Sequence, residues 1–136
     1  MLAAAGPLKD TSALVLAQPG LRSLEVLCGL IRQGCAAAAE VAPDRKVPIE
    51  SAEIVIIPNL TSRSAIQAAL SLAQRCLLPC GRIVLQDGIG NLSREIVEML
   101  RVAGFCKICV QALATTTIIS ADKPMYGPMV RVAGHA

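Results

Sequence analysis

One stretch of this chain, ALVLA at 13–17, is a continuous apolar run; AEIVII at 52–57, rich in β-branched residues, is the strongest strand, and RIVLQ at 82–86 is the next. A strand with one wet face alternates apolar and polar residues. A short continuous apolar run instead suits a strand buried on both faces, as in a parallel sheet. Parallel neighbours cannot be joined by hairpins; they need crossovers of about a dozen residues or more, usually helices. The chain supplies such helices. Residues 23–33 place Leu24, Leu27, Leu30 and Ile31 at helical spacing, with Ser23 as the expected N-cap and Gly34 as the stop. Residues 61–77 put Ile66, Ala69, Leu70, Ala73 and Leu77 on one face. Residues 92–103 form a third helix, expected to be capped by Ser93 and stopped by Gly104.

Residues 35–41, CAAAAEV, are read as a second strand on context, because alanine itself prefers helices. Residues 42–51 are a loop with two prolines. Pro58 and Asn59 are expected to end the AEIVII strand, and Pro79 and Gly81 to break the chain before the next one. Residues 105–112 and 115–121 are two further strands joined by a short loop, so that pair should be antiparallel. The order β-α-β, then β-α-β-α-β-β, predicts one α/β domain over 1–136 with a mainly parallel sheet. Residues 125–136 form a C-terminal tail with little pattern.

With one Phe, one Tyr and no Trp, the core must be built from Val, Ile, Leu and Ala. The chain is 54% hydrophobic and 17% charged, far from the composition of a disordered segment. No apolar stretch approaches the roughly 20 residues of a spanning helix, and no basic region precedes an apolar one at the start. A cytoplasmic location and no membrane partner are the expectations. The net charge of +3 is scattered, without the basic stripe and stacking aromatics of a nucleic-acid surface, so nucleic acid is not an expected partner. So apolar a domain is expected to expose some apolar surface and to self-associate.

The layout resembles the Rossmann-like methyltransferases that use S-adenosylmethionine. LVLAQPG (14–20) stands where that family has its first strand and glycine loop. EVAPD (40–44) resembles its acidic residue and turn after the second strand, and AEIVIIPNL (52–60) its fourth strand. CLLPCGRIVLQD (76–87) resembles its Pro-Gly-Gly entry into the fifth strand, with Cys80 in place of the first glycine. EMLRVAGF (98–105) and the two strands after it resemble its last helix and terminal antiparallel pair. The resemblance covers about 13–124 and implies a three-layer α/β sandwich, one antiparallel strand, and the family's sheet order 2-1-4-5-7-6.

It also implies where a cofactor would lie. Ligands of open parallel sheets sit beyond the carboxyl ends of the strands, where the strand order reverses. Glu40 stands 20 residues after Gly20, the place of a ribose-binding acid. The family pattern is an acid followed by three glycines at alternate places; here the acid's place is Leu16 and the glycine places are Gln18, Gly20 and Arg22. Only ten residues separate Val41 from Ala52, where the family fits its third strand and flanking helices, so that region is expected to be missing. The cofactor-site candidates are Gln18, Gly20, Arg22, Glu40, Asn59 and Gln86. Asp87 offers a carboxylate, but Asn and Asp beside strand ends commonly cap and turn, and no catalytic residue is assigned.

Six cysteines stand at 28, 35, 76, 80, 106 and 109. Cys106-Lys-Ile-Cys109 has metal-ligand spacing, yet residues three apart on a regular strand face opposite ways. No metal site is assigned. The resulting expectation is a methyltransferase-like domain with a degenerate cofactor site, acting as a binding, assembly or regulatory module. Its partner would be a second copy or another protein, meeting the low-charge edge 35–41. Two alternatives stand beside it: a small active S-adenosylmethionine-dependent methyltransferase whose pocket a partner chain completes, and a cysteine-based metal or redox module.

Overall fold

The computed structural model describes residues 2–16, 21–41, 50–60, 63–87, 92–113 and 116–125. A short 3-10 turn, Leu2–Ala5, precedes β1 (Ser12–Leu16), α1 (Leu21–Arg32), β2 (Ala37–Val41), β3 (Ala52–Leu60) and α2 (Arg63–Cys76). After these come β4 (Leu77–Asp87), α3 (Ser93–Val102), β5 (Cys106–Ala112) and β6 (Thr117–Asp122). The sheet order is β2-β1-β3-β4-β6-β5, parallel except for β6, which pairs antiparallel with both β4 and β5. This is the expected three-layer sandwich and the expected strand order.

Strand alternation sends side chains to two separate cores. On one face Leu14, Leu16, Val55, Ile57, Ile83, Leu85 and Ile119 meet α2 and α3 through Ile66, Leu70, Ala73, Ile96 and Leu100. On the other Ala13, Val15, Ile54, Ile56, Val84 and Ile118 meet Leu30 of α1 together with Ala5 and Leu8. The continuous apolar runs of β1, β3 and β4 are continuous because both faces are covered.

Four local expectations need correction. β3 continues through Pro58 to Leu60, with an irregular register after Ile57; a proline is tolerated where the ladder is already distorted. Pro79 and Gly81 do not break the chain: β4 runs from Leu77, with a register shift opposite Ala52–Ile54 that absorbs both residues. Ser23 lies inside α1, which is already helical at Leu21. Ser93 is likewise the first helical residue of α3; the N-cap is Leu92, with no side-chain cap of its own. The stops are as expected: Gly34 at φ +86° and Gly104 at φ +95° take the left-handed conformation that closes a helix. Of the tail, 126–136 lies outside the described residues.

Candidate functional site

β1, β2, β3 and β4 run parallel, so their carboxyl ends share one rim. The chain leaves β1 toward β2 and leaves β3 toward β4, so the order reverses between β1 and β3, the place where open sheets bind ligands. Along this rim the ladder pairs Val15 with Glu40, Leu16 with Val41, and Leu60 with Asp87. The backbone thus brings Glu40, Asn59 and Gln86 to the same end of the sheet, although the side chains of Glu40 and Asn59 are outside the described residues. Gln18 and Gly20 also lie outside them. Arg22 is placed only as backbone in the first turn of α1.

Three rim positions, Leu16, Gln86 and Asp87, are fully described, and all are packed. Leu16, at the place of the family's acid, is 2% exposed and belongs to the core under α2 and α3. Asp87 is completely buried, and its Oδ2 accepts the Leu92 backbone N–H at 2.9 Å and the Ser93 hydroxyl at 3.0 Å. That carboxylate caps α3 from the preceding strand, facing the positive end of the helix dipole. Of the two roles open to Asp87 in the sequence, the structure therefore gives it capping. Gln86 points to the opposite face, toward the α1 core, and is 8% exposed.

The amino-end rim is more polar than the sequence suggested. Arg82 Nε donates to Asp122 Oδ1 at 2.8 Å, and its guanidinium also reaches the Ala4 carbonyl at 3.3 Å. The bond to Asp122 raises the Arg82 pKa above its ordinary value. Lys123 Nζ donates to the Gln74 and Leu77 carbonyls at 2.8 and 2.7 Å, closing the C-terminus of α2. A cavity of about 480 Å³ is lined here by Thr11, Glu53, Cys80, Gly81, Arg82 and Asp122. Gly81 must be glycine: a Cβ would sit 2.8 Å from the Leu78 carbonyl oxygen and 2.9 Å from that of Glu53. Cys80, in the place of the family's other glycine, holds φ +66°.

A second cavity of about 480 Å³ lies between α2 and α3, lined by Gln67, Leu70, Ser71, Gln74, Met99 and Val102. Beside it Arg63 grips Glu95 through two bonds of 3.0 and 2.7 Å, holding the Glu95 carboxyl below its ordinary pKa. Burial pushes the Cys76 thiol up. Among the described residues no group of three or more His, Cys, Asp or Glu could hold a metal ion, and no helix is long and apolar enough to cross a membrane.

The Cys106–Cys109 expectation also changes. β5 pairs Cys106 with Asp122 but Cys109 with Ser120, so two β5 residues, Lys107 and Ile108, oppose Ala121 alone. This bulge, with Lys107 at φ +52°, inserts one residue into the strand. The two cysteines consequently face the same way.

No family model matches the chain, and no curated protein is similar to it in sequence. Solved structures are similar in fold. A geranyl diphosphate methyltransferase, solved with geranyl diphosphate and sinefungin, superposes with TM-score 0.68 at 12% identity, covering 89% of this chain and 74% of that one. The Burkholderia thailandensis 1,6-didemethyltoxoflavin-N1-methyltransferase gives 0.70 at 13%, covering 90% and 79%. A chain from the complex of the Haloferax volcanii Trm112 methyltransferase activator with a methyltransferase gives 0.69 at 11%, covering 92% and 87%. At these identities the likeness establishes the fold: this is the Rossmann-like fold of S-adenosylmethionine-dependent methyltransferases.

Proposed function

We propose that this chain is a methyltransferase-like domain with a degenerate cofactor site that works as a protein-binding module. The observation that carries this reading is what surrounds β2. A right-handed crossover outward from β2 would lay its helix beside α1, and the return crossover to β3 would lay another on the opposite face. Ten residues connect Val41 to Ala52 instead. They suffice for the distance, roughly 16 Å along β2 and across two strand spacings. They have no length for a strand and two helices.

Exposed apolar surface marks both places. On α1, Leu24 (54% exposed), Cys28 and Ile31 (67%) form an outer stripe at i, i+4 and i+7. On the opposite face Ala37 and Ala39 of β2 are exposed. Among the described residues β2 is an edge strand, short and without a charged side chain before Glu40. An unpaired edge beside an apolar stripe is a surface that a second chain can complete. A second copy of this chain is the occupant we favour, since the β2 edge and the stripe are both self-complementary in character.

The test is the oligomeric state of the full chain by sedimentation velocity. Ala37 uses its N–H internally, toward the Thr11 carbonyl at 3.4 Å, so a proline there would break the fold's own bond. Ala39→Lys leaves the ladder intact and places a charge on the edge. A wild-type dimer that Ala39→Lys or Ile31→Glu turns into a folded monomer supports the reading. A wild-type monomer throughout, with no apolar patch shielded, opposes it.

A second reading is an active S-adenosylmethionine-dependent methyltransferase in which Gly20 and Glu40 hold the cofactor and a partner chain completes the pocket. It is favoured by Glu40 reaching the switch-point rim in register with Val15. One of the similar folds was itself solved with an activator protein.

A further inference from the structure

The bulge in β5 has a chemical consequence that goes beyond the binding role. We infer that Cys106 and Cys109 form a redox-active dithiol, a site that closes to an intramolecular disulfide by exchange with a small-molecule disulfide such as that of glutathione. Four observations support this site.

The first is register. Partners Asp122 and Ser120 stand two residues apart on β6, so their side chains share a face, and each brings its opposite cysteine to that face. Same-face neighbours along a strand have Cα atoms about 6.6–6.8 Å apart, at the upper limit of the roughly 4.4–6.8 Å that a disulfide spans, and their Cβ atoms must approach by roughly 2 Å to reach the ~3.5–4.5 Å of a closed bond. Without the extra residue at the bulge, the C-x-x-C spacing would have split the two thiols across the sheet.

The second is access. This face carries Arg82, Val84 and Gln86 of β4 and Ile118, Ser120 and Asp122 of β6; α1 covers it over β1 to β3 and the Leu2–Ala5 turn over β4 and β6, while Cys106 and Cys109 of β5 stay exposed. Helix α3 packs on the other side of β5 and β6. Both thiols are free and exposed, on an edge strand that no other described element flanks.

The third is polarity. Cys106 Sγ donates to the Asp122 carbonyl at 3.4 Å, which orients it, while the Arg82 guanidinium lies within electrostatic reach of Cys109. The fourth is mechanical. The bulge leaves a residue unpaired and bends the strand, and the edge is held on one side only, so β5 can take up that approach at Lys107.

The exchange proceeds in two balanced steps. The Cys109 thiolate attacks one sulfur of the small disulfide, forming a mixed disulfide and expelling one thiolate. The Cys106 thiolate then attacks the Cys109 sulfur and expels the second. The two protein sulfurs lose two electrons in all, the small disulfide gains them, and the two thiol protons leave on the two released thiols.

The experiment uses the full reduced chain, equilibrated with glutathione disulfide, alkylated and digested with trypsin. Cleavage after Arg101 and Lys107 separates the two cysteines onto peptides 102–107 and 108–131. The expected result is the coordinated loss of two of the six alkylatable thiols, with those two peptides recovered as one disulfide-linked pair from monomeric protein. Recovery of the two peptides apart, each alkylated or carrying its own glutathione, overturns the inference. So does a link from either peptide to 76–82, which bears Cys76 and Cys80, or to a second chain. Because the readout is a bond and not an assembly, it is independent of the oligomeric test above.

Discussion

The two faces of the sheet are filled from the same strands but finished differently. Under α2 and α3 Ile66, Ala73, Ile96 and Leu100 have no exposure, Asp87 caps one helix and Lys123 closes the other, while Val102 at the end of α3 stays 81% exposed beside the cavity between the two helices. Over the opposite face Leu30 is the one fully buried side chain among the described ones of α1, and the helix turns Leu24 and Ile31 to solvent. A helix with apolar residues on its core side and on its outer side is suited to two neighbours. The α2–α3 layer therefore closes on the sheet with several fully buried side chains, whereas the described part of α1 closes on it with Leu30 and carries an apolar stripe on its outer side.

That contrast can be broken most sharply by truncation. Ile66→Ala should destabilise the fold by about 3–4 kcal/mol, the usual loss for a fully enclosed aliphatic side chain. Ile31→Ala should change it by less than about 0.5 kcal/mol at concentrations where the chain is monomeric, as for an exposed site. Urea unfolding followed by circular dichroism distinguishes them, and equal losses would abolish the distinction between the faces. Next in size is Asp87→Ala, expected to lose about 2 kcal/mol by uncapping α3 and leaving the Leu92 N–H without its acceptor.

A smaller effect of opposite sign tests the strained turn into β4. Cys80→Gly should gain about 1 kcal/mol, because φ +66° is a conformation glycine adopts freely and cysteine does not. The smallest expected effect is alkaline. Burial raises the Cys76 pKa in the folded chain, so its contribution is fully present below the ordinary thiol pKa. It is lost as pH rises through the folded value, because the unfolded chain ionises first. Stability should therefore decline through the alkaline thiol range, and Cys76→Ala should remove that part of the slope.

Much of the architecture was legible in the sequence, for a physical reason. The runs in β1, β3 and β4 and the periodicity of α2 and α3 are burial patterns, and burial is what the local sequence encodes most directly. The strand order came from the resemblance to the methyltransferase family, since burial patterns alone do not say which strands are neighbours. Local punctuation was less legible. Pro58, Pro79 and Gly81 all sit inside strands, because ladder irregularities absorbed what a regular strand would reject. Ser23 and Ser93 looked like caps, but α3 is capped by a residue six positions before Ser93, through tertiary proximity that no adjacent-residue rule contains. The bulge at Lys107 was invisible for the same reason: an inserted residue is defined only by its partner strand. At the rim, Glu40, Asn59 and Gln86 stand at strand ends as backbone positions, where the sequence pattern put them. Nothing in their residue types distinguishes a ligand contact from a strand terminus.

The proposed function requires a methyltransferase fold whose cofactor rim does not serve S-adenosylmethionine. Calorimetric titration of the full, folded chain with S-adenosylmethionine and with S-adenosylhomocysteine, repeated on Glu40→Ala, tests it most directly. The account predicts no binding heat at millimolar ligand for either protein. Micromolar binding that Glu40→Ala weakens tenfold or more, a loss of about 1.4 kcal/mol, would contradict it and establish that Gly20 and one acid suffice to hold the cofactor.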